Sequence, residues 1–317
     1  SRAASRRTLG RPSRLYAPHV WHRDHRVGLA GVVASVVMIG LVGILGPSAA
    51  TLDLPAQGSW LPPYTLGLRV SDWLSVPMLY GALAVGAFGW WVCRCAALDG
   101  WRPRLPKLAG LGVALNVLVC LVPPMTSADV LMYAAYGRLQ VLGLDPYLIP
   151  PAEIYRMQSD AVLPQVERPW QDTPTVYGPI VSATQYVANL LGGTNVHDIV
   201  FWLQLFCLVP MLAIVAIAVW MARGNHLLQL RVVLVLLLNP AIIWAVVAQA
   251  HNESVAVALS MAALALMRSH PLLAGVFFGF AGGAKINMVL YGLAMLWGYR
   301  RSWRRMSGRK APRAAVR

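Results

Sequence analysis

Eight apolar runs, read at about 28–46, 73–97, 108–124, 198–221, 230–250, 254–267, 271–283 and 286–299, constrain what this chain can fold into. A helix crosses a bilayer with roughly 20 apolar residues, and the first five runs approach that length. Hydrocarbon holds no water to bond a bare peptide group, so only helices and closed barrels can span it. The runs lack the strict alternation that barrel strands need. The predicted fold class is therefore all-α, a polytopic transmembrane helix bundle of about eight spans. The last three runs are short, which suits spans that tilt little, stay partly inside the bundle or form a broken pair. Residues 178–192, GPIVSATQYVANLLG, are less apolar and too few to cross, and read as a helix lying at the interface.

Composition agrees: of 317 residues 57% are hydrophobic and only 12% charged, a balance foreign to ordinary soluble domains. The formal net charge of +15 is gathered at the two ends. Arg2, Arg6, Arg7, Arg11, Arg14, Arg23 and Arg26 precede the first run, and Arg300, Arg301, Arg304, Arg305, Arg309, Lys310, Arg313 and Arg317 follow the last. Such flanks fix topology and meet anionic lipid head groups. They carry no interleaved aromatic platform, so nucleic acid is not an expected partner. Cys93, Cys95, Cys120 and Cys207 sit in or beside apolar runs at no metal or redox spacing, and read as buried, inert thiols.

Counting Lys and Arg in the short loops orients the bundle. If the eight runs alternate, the N-terminal flank, the loops with Arg94, Arg102, Arg104 and Lys107, with Arg223 and Arg231, and with Arg268, and the C-terminal flank share one side. That side is expected to be cytoplasmic. Segments 47–72, 125–197, 251–253 and the Lys285 turn then face outward. The expected organisation is a basic cytoplasmic segment 1–27, a transmembrane domain 28–299 with a large extracytoplasmic loop 125–197, and a basic cytoplasmic tail 300–317, in a multi-pass plasma membrane protein. The first residues are too polar and Arg-rich for a signal peptide, and with no initiator Met the chain reads as processed or as a fragment.

The outer loop opens MTSADVLMYAAYGRLQVLGLDPY, residues 125–147. Thr126 and Ser127 suit the N-cap of a short helix that has Asp129 in its first turn. Asp129, Tyr133 and Gly137 would then share one ridge. Asp129 fits two roles, a reacting carboxylate or simple support of the helix dipole. Gly143-Leu144-Asp145-Pro146-Tyr147 reads as a turn. A second punctuated stretch, RPWQDTPTVYGPI, adds Trp170, Asp172 and Tyr177, aromatics that suit sugars and head groups as well as a membrane belt. Two further polar islands, His251-Asn252-Glu253 and Lys285, fall on the same predicted side. Loop-tip solvation and lysine snorkelling account for them blandly, whereas ionisable groups at membrane depth mark functional sites. One base and several cations on one face suit a reaction on a lipid-linked phosphate.

SADVLMYAAYGRLQVLGLDPY, then PTVYGPI, NPAIIWAVVAQAHNES and GGAKIN, together resemble the actinobacterial polyprenol-phosphate-mannose-dependent α-1,6-mannosyltransferases, integral membrane enzymes of the GT-C class. The resemblance covers about residues 115–299. It implies transfer of mannose from polyprenyl-phosphate-mannose to a growing α-1,6-mannan of lipomannan or lipoarabinomannan, outside the membrane and with inversion. It casts Asp129 as the catalytic base. Arg138, Lys285, His251, Tyr133, Tyr147, Tyr177, Asn252 and Glu253 are the candidates for donor phosphate and substrate binding. No metal site is expected, although a divalent cation between Asp129 and Glu253 stays open. Two departures stand out: the family's His-Asn-Asp reads His251-Asn252-Glu253, and the lysine expected just before a proline precedes Ile286-Asn287-Met288. Family members are also longer, which makes this chain read as C-terminally truncated. The rival readings are a non-catalytic or degenerate paralogue and a lipid or solute transporter. The transporter calls for polar residues at span centres or an inverted repeat, and the sequence has neither.

Overall fold

The computed structural model describes residues 24–55, 58–166 and 170–308, so Arg168, the basic flank before Asp24 and the tail beyond Gly308 lie outside the described residues. The chain folds as α1 (His25–Leu45), α2 (Asp72–Leu98), α3 (Leu105–Cys120), α4 (Asp129–Val141), α5 (Pro151–Tyr155), α6 (Pro179–Gly192), α7 (Val196–Met221), α8 (His226–Val232), α9 (Pro240–Ile242), α10 (Glu253–Leu266), α11 (Pro271–Ala284) and α12 (Met288–Gly308). Among the described residues four stretches are long and apolar enough to cross a membrane: His25–Leu45, Asp72–Leu98, Val196–Met221 and His226–Ala248. Four shorter apolar helices accompany them, at Leu105–Cys120, Glu253–Leu266, Pro271–Ala284 and Met288–Gly298. The fold is an all-α membrane helix bundle.

Local chemistry sets the ends of these helices. The carboxylate of Asp24 accepts the Arg26 amide at 2.8 Å, and the side-chain oxygens of Asn195 and Asn225 accept His197 and Leu228 amides at 3.1 and 3.0 Å. The third apolar run was expected to reach residue 124, yet α3 ends at Cys120. Pro123 and Pro124 lack amide hydrogens and force the preceding residues out of helical space. The fifth run is likewise not a plain helix. Its Asn239-Pro240 step restarts the chain with a side-chain cap at 3.1 Å, and π-helical turns flank it at Val233–Leu237 and Ile243–Ala248. Small residues bring α1 and α2 together, since a methyl group on Gly89 would meet the Gly28 carbonyl and the Val32 amide.

Residues 122–126 tie these parts into one end of the bundle. The Pro124 carbonyl accepts the Leu52 amide at 3.0 Å, and the Thr126 amide donates to Ala50 at 3.1 Å. The Met125 amide donates to Ala248 at 3.1 Å, while Gln204 of α7 donates to Val122 at 3.0 Å. Beyond this junction α4 lies against α6. Asn189 of α6 donates to the Ala134 carbonyl at 2.9 Å, and a methyl on Gly137 would strike the Gln185 carbonyl. The opposite face of α6 leaves Tyr186, Val187, Leu190 and Leu191 exposed, a surface that suits a membrane interface.

An ion pair ties α4 to the segment that follows it. Arg138 Nε donates to Asp160 Oδ2 at 2.8 Å, with side chains 14% and 4% exposed. Burial alone would push the Asp160 carboxyl up, but the Leu163 amide, Arg138 and the Val162 amide outweigh it and hold the group below the usual carboxylate range. Asp160→Asn should therefore cost about 3 to 5 kcal/mol, because a buried guanidinium loses its counter-charge. Arg156 and Asp172 pair at 2.9 Å on the surface, at 56% and 51% exposure, and Asp172→Asn should cost under about 1 kcal/mol. Thermal melts of both variants in detergent test this contrast; equal shifts would refute it.

Candidate active site

Four of the residues singled out in the sequence come together at this end. His251 Nδ1 lies 3.7 Å from Asp129 Oδ2 and 3.5 Å from Glu253 Oε2. Lys285 Nζ donates to Glu253 Oε1. Three distant stretches thus supply one cluster: Asp129 opens α4, His251 and Glu253 bracket the start of α10, and Lys285 closes α11. None is sealed away, for the side chains of Asp129, His251, Glu253 and Lys285 are 42%, 23%, 38% and 25% exposed.

The carboxylates differ in their surroundings. The hydrogen bond from His251 lowers the Glu253 carboxyl most; burial opposes it, and Lys285 adds to it, leaving the group at about 2. Glu253 is thus a committed counter-charge. Asp129, by contrast, is the most exposed member, and among the described residues His251 is the only basic side chain within 4 Å of its carboxylate.

Aromatic rings form the wall behind the cluster. Lys285 Nζ sits 5.7 Å from the centre of the Tyr177 ring, which meets Tyr133 edge-on at 5.2 Å between centroids. Burial raises both phenols, so they act as neutral groups. Tyr136 is 6.5 Å from Tyr177 between ring centroids and donates its hydroxyl to the Thr173 carbonyl at 3.0 Å. Asn252 is buried, and among the described residues its side-chain amide has no hydrogen-bond partner.

The remaining candidates lie elsewhere. Arg138 is engaged with Asp160, and the Tyr147 hydroxyl bonds to Ser182 Oγ at 3.0 Å. A divalent cation bridging Asp129 and Glu253 would have to share Glu253 with Lys285 and His251.

Residues 25–300 match the family model described as alpha-(1->6)-mannopyranosyltransferase, N-terminal domain. The chain belongs to that family. Its relatives include a probable alpha-(1->6)-mannopyranosyltransferase of Mycolicibacterium smegmatis, 28% identical over 75% of this chain and 42% of that protein. Two proteins of Mycobacterium tuberculosis also match. An alpha-(1->6)-mannopyranosyltransferase is 26% identical over 74% of this chain and 39% of its own length, and alpha-(1->6)-mannopyranosyltransferase A is 27% identical over 71% and 43%. The chain therefore spans less than half the length of these relatives. No solved structure matches.

Within this family member, two residues that sequence reasoning did not assign to the site organise it. Thr126, expected as a helix cap, instead adopts a left-handed φ of 58°, and its hydroxyl donates to the Met125 carbonyl at 2.8 Å. Ser127 supplies the cap-like bond, accepting the Asp129 amide at 3.2 Å, and Ala128 is the N-cap residue. With its proton so engaged, the Thr126 oxygen accepts from Gln249 Nε2 at 2.9 Å. This turns Gln249 Oε1 toward His251 Nε2, 2.7 Å away, so that nitrogen carries a hydrogen and Nδ1 faces the two carboxylates. The one signal in the sequence was a lone glutamine at the end of an apolar run.

Because Glu253 titrates lower in the folded chain than its ordinary 4.5, its contribution to stability is present above that pH. It is lost as pH falls from 4.5 toward about 2. Glu253→Gln should accordingly flatten the acid decline of the melting temperature across this window. Superimposable acid profiles for the two proteins would contradict the assignment.

Proposed function

We propose that this chain carries the catalytic face of a membrane mannosyltransferase that moves mannose from polyprenyl-phosphate-mannose to a growing α-1,6-mannan, on the extracytoplasmic side of the plasma membrane. The convergence of Asp129, His251, Glu253 and Lys285 carries the reading. The sugar and linkage come from the names of the relatives, and the side of the membrane from the Lys and Arg bias of the loops.

In the proposed reaction the primary hydroxyl oxygen of an acceptor mannose attacks the anomeric carbon of β-linked mannosyl phosphate. The bond from that carbon to the phosphate oxygen breaks on the opposite face, so the new linkage is α. Asp129 takes the hydroxyl proton, a role that suits the most exposed carboxylate of the cluster. Polyprenyl phosphate leaves with the bonding electron pair. Lys285 and His251 meet its charge, each such donor being worth about 3 to 4 kcal/mol in the transition state. Glu253 bonds to Lys285 and lies 3.5 Å from His251, which holds both in place. Arg138, paired with Asp160, takes no part. The polyprenyl tail lies among apolar helices, which it can enter without a polar path.

Asp129→Asn should lower mannose transfer by at least about 10²-fold while leaving membrane insertion intact, as expected for a lost general base. The assay supplies radiolabelled polyprenyl-phosphate-mannose and a short α-1,6-mannoside to purified protein in nanodiscs, with linkage analysis of the product. Full activity in that variant would sink the assignment. Gln249→Leu should reduce turnover and move its pH profile, because the His251 ring loses the acceptor that orients it; an unmoved profile would leave Gln249 a packing residue.

A further inference from the structure

The connection between α1 and α2 exceeds the roughly 12 to 15 residues beyond which an irregular loop usually has a function. Backbone bonds fasten it to the bundle at several points. Leu66 and Leu68 amides donate to Ile44 and Leu45 at 2.7 and 2.8 Å, and the Tyr64 amide to Leu121 at 2.7 Å. His197 of α7 completes the frame, with Nε2 donating to the Pro63 carbonyl at 2.8 Å and Nδ1 3.0 Å from Asp198. These bonds hold open a cavity of about 480 Å³ lined by Asp53, Ser59, Tyr64, Arg69, Pro123 and His197, among others. That volume lies within the roughly 300 to 1,000 Å³ of ligand sites.

The lining selects the chemistry. Asp53 and Arg69 are exposed, and among the described residues neither has an ion-pair or side-chain hydrogen-bond partner. One carboxylate and one guanidinium in the lining, with His197 already bonded to Pro63 and Asp198, give no marked excess of positive charge for a phosphate and too few carboxylates for a cation. They give acceptors and donors for hydroxyl groups. The Tyr64 ring and the prolines offer flat apolar surface for the faces of a hexose. Backbone links connect the cavity wall to the segment that carries Asp129. Pro123 is in its wall, the Leu52 amide bonds to Pro124, and Thr126, bonded to Ala50, bears the hydroxyl that orients Gln249 and His251.

We infer that this cavity binds a neutral saccharide and holds an α-1,6-linked mannoside acceptor next to the Asp129 site. The identity of the sugar rests on the mannosyltransferase reading. Equilibrium dialysis of radiolabelled α-1,6-mannotriose against the full chain in nanodiscs tests it. Asp53→Asn and Arg69→Gln, both on the exposed loop, should each weaken binding at least about tenfold, the loss expected for one charged hydrogen-bonding group, while melting temperatures stay native-like. Ser59→Phe, which fills the cavity, should abolish binding. Unchanged affinity in all three variants overturns the inference, and so does an absence of mannotriose binding by the native chain. The mannosyltransferase reading fails by a different result, namely mannotriose bound but no product formed when the polyprenyl-phosphate donor is supplied.

Discussion

A buried peptide group left without a partner is costly, and the short stretch between α3 and α4 meets that demand largely by bonding to other segments. Two prolines prevent it from continuing the helix, so its amides and carbonyls reach the loop after α1, the side of α7 and the end of the π-helical turn at Ala248. The positions of Asp129 and His251 follow from this. Asp129 hangs from one end of the junction, and His251 stands just beyond its partner Ala248. The site is thus a by-product of satisfying backbone polarity at the end of a membrane bundle.

Strain accompanies that arrangement. Thr126 and Ala250 both have positive φ, at 58° and 54°, and for a β-branched threonine this is an outlier. Each such residue costs on the order of 1 to 3 kcal/mol and persists only where its surroundings over-determine it. Here the two lie on either side of Gln249, one accepting its amide and the other following it in sequence. The strained pair therefore holds the glutamine that orients the His251 ring, linking backbone geometry to the direction in which an imidazole faces.

The sequence made part of this legible. Apolar length predicted the helices because burial in hydrocarbon is nearly indifferent to which apolar residue is used. Alternation of spans grouped Asp129, His251, Glu253 and Lys285, and in the fold their side chains meet. Pairings that depend on tertiary approach could not be read. Nothing local marks Arg138 as the partner of Asp160 rather than of a substrate, and nothing near Thr126 announces a left-handed turn in place of a cap. The end of α3 was legible in principle, since Pro123-Pro124 is a strong stop, but the hydrophobic run continues through Val122 and masked it.

The π-helical turn Ile243–Ala248 carries a further consequence. A π turn accommodates one residue more than an α turn, so everything after it is rotated by about 100° from where an unbroken α-helix would leave it. The bond from the His251 amide to the Val246 carbonyl, at 3.0 Å, is the last of this wider turn. Residue count in the span is thus a determinant of the direction in which the imidazole faces. Losing a single residue there would swing His251 away from both carboxylates while keeping every side chain of the cluster. Among diverging copies of this fold, length in the fifth apolar run should be guarded as closely as the identity of the clustered side chains.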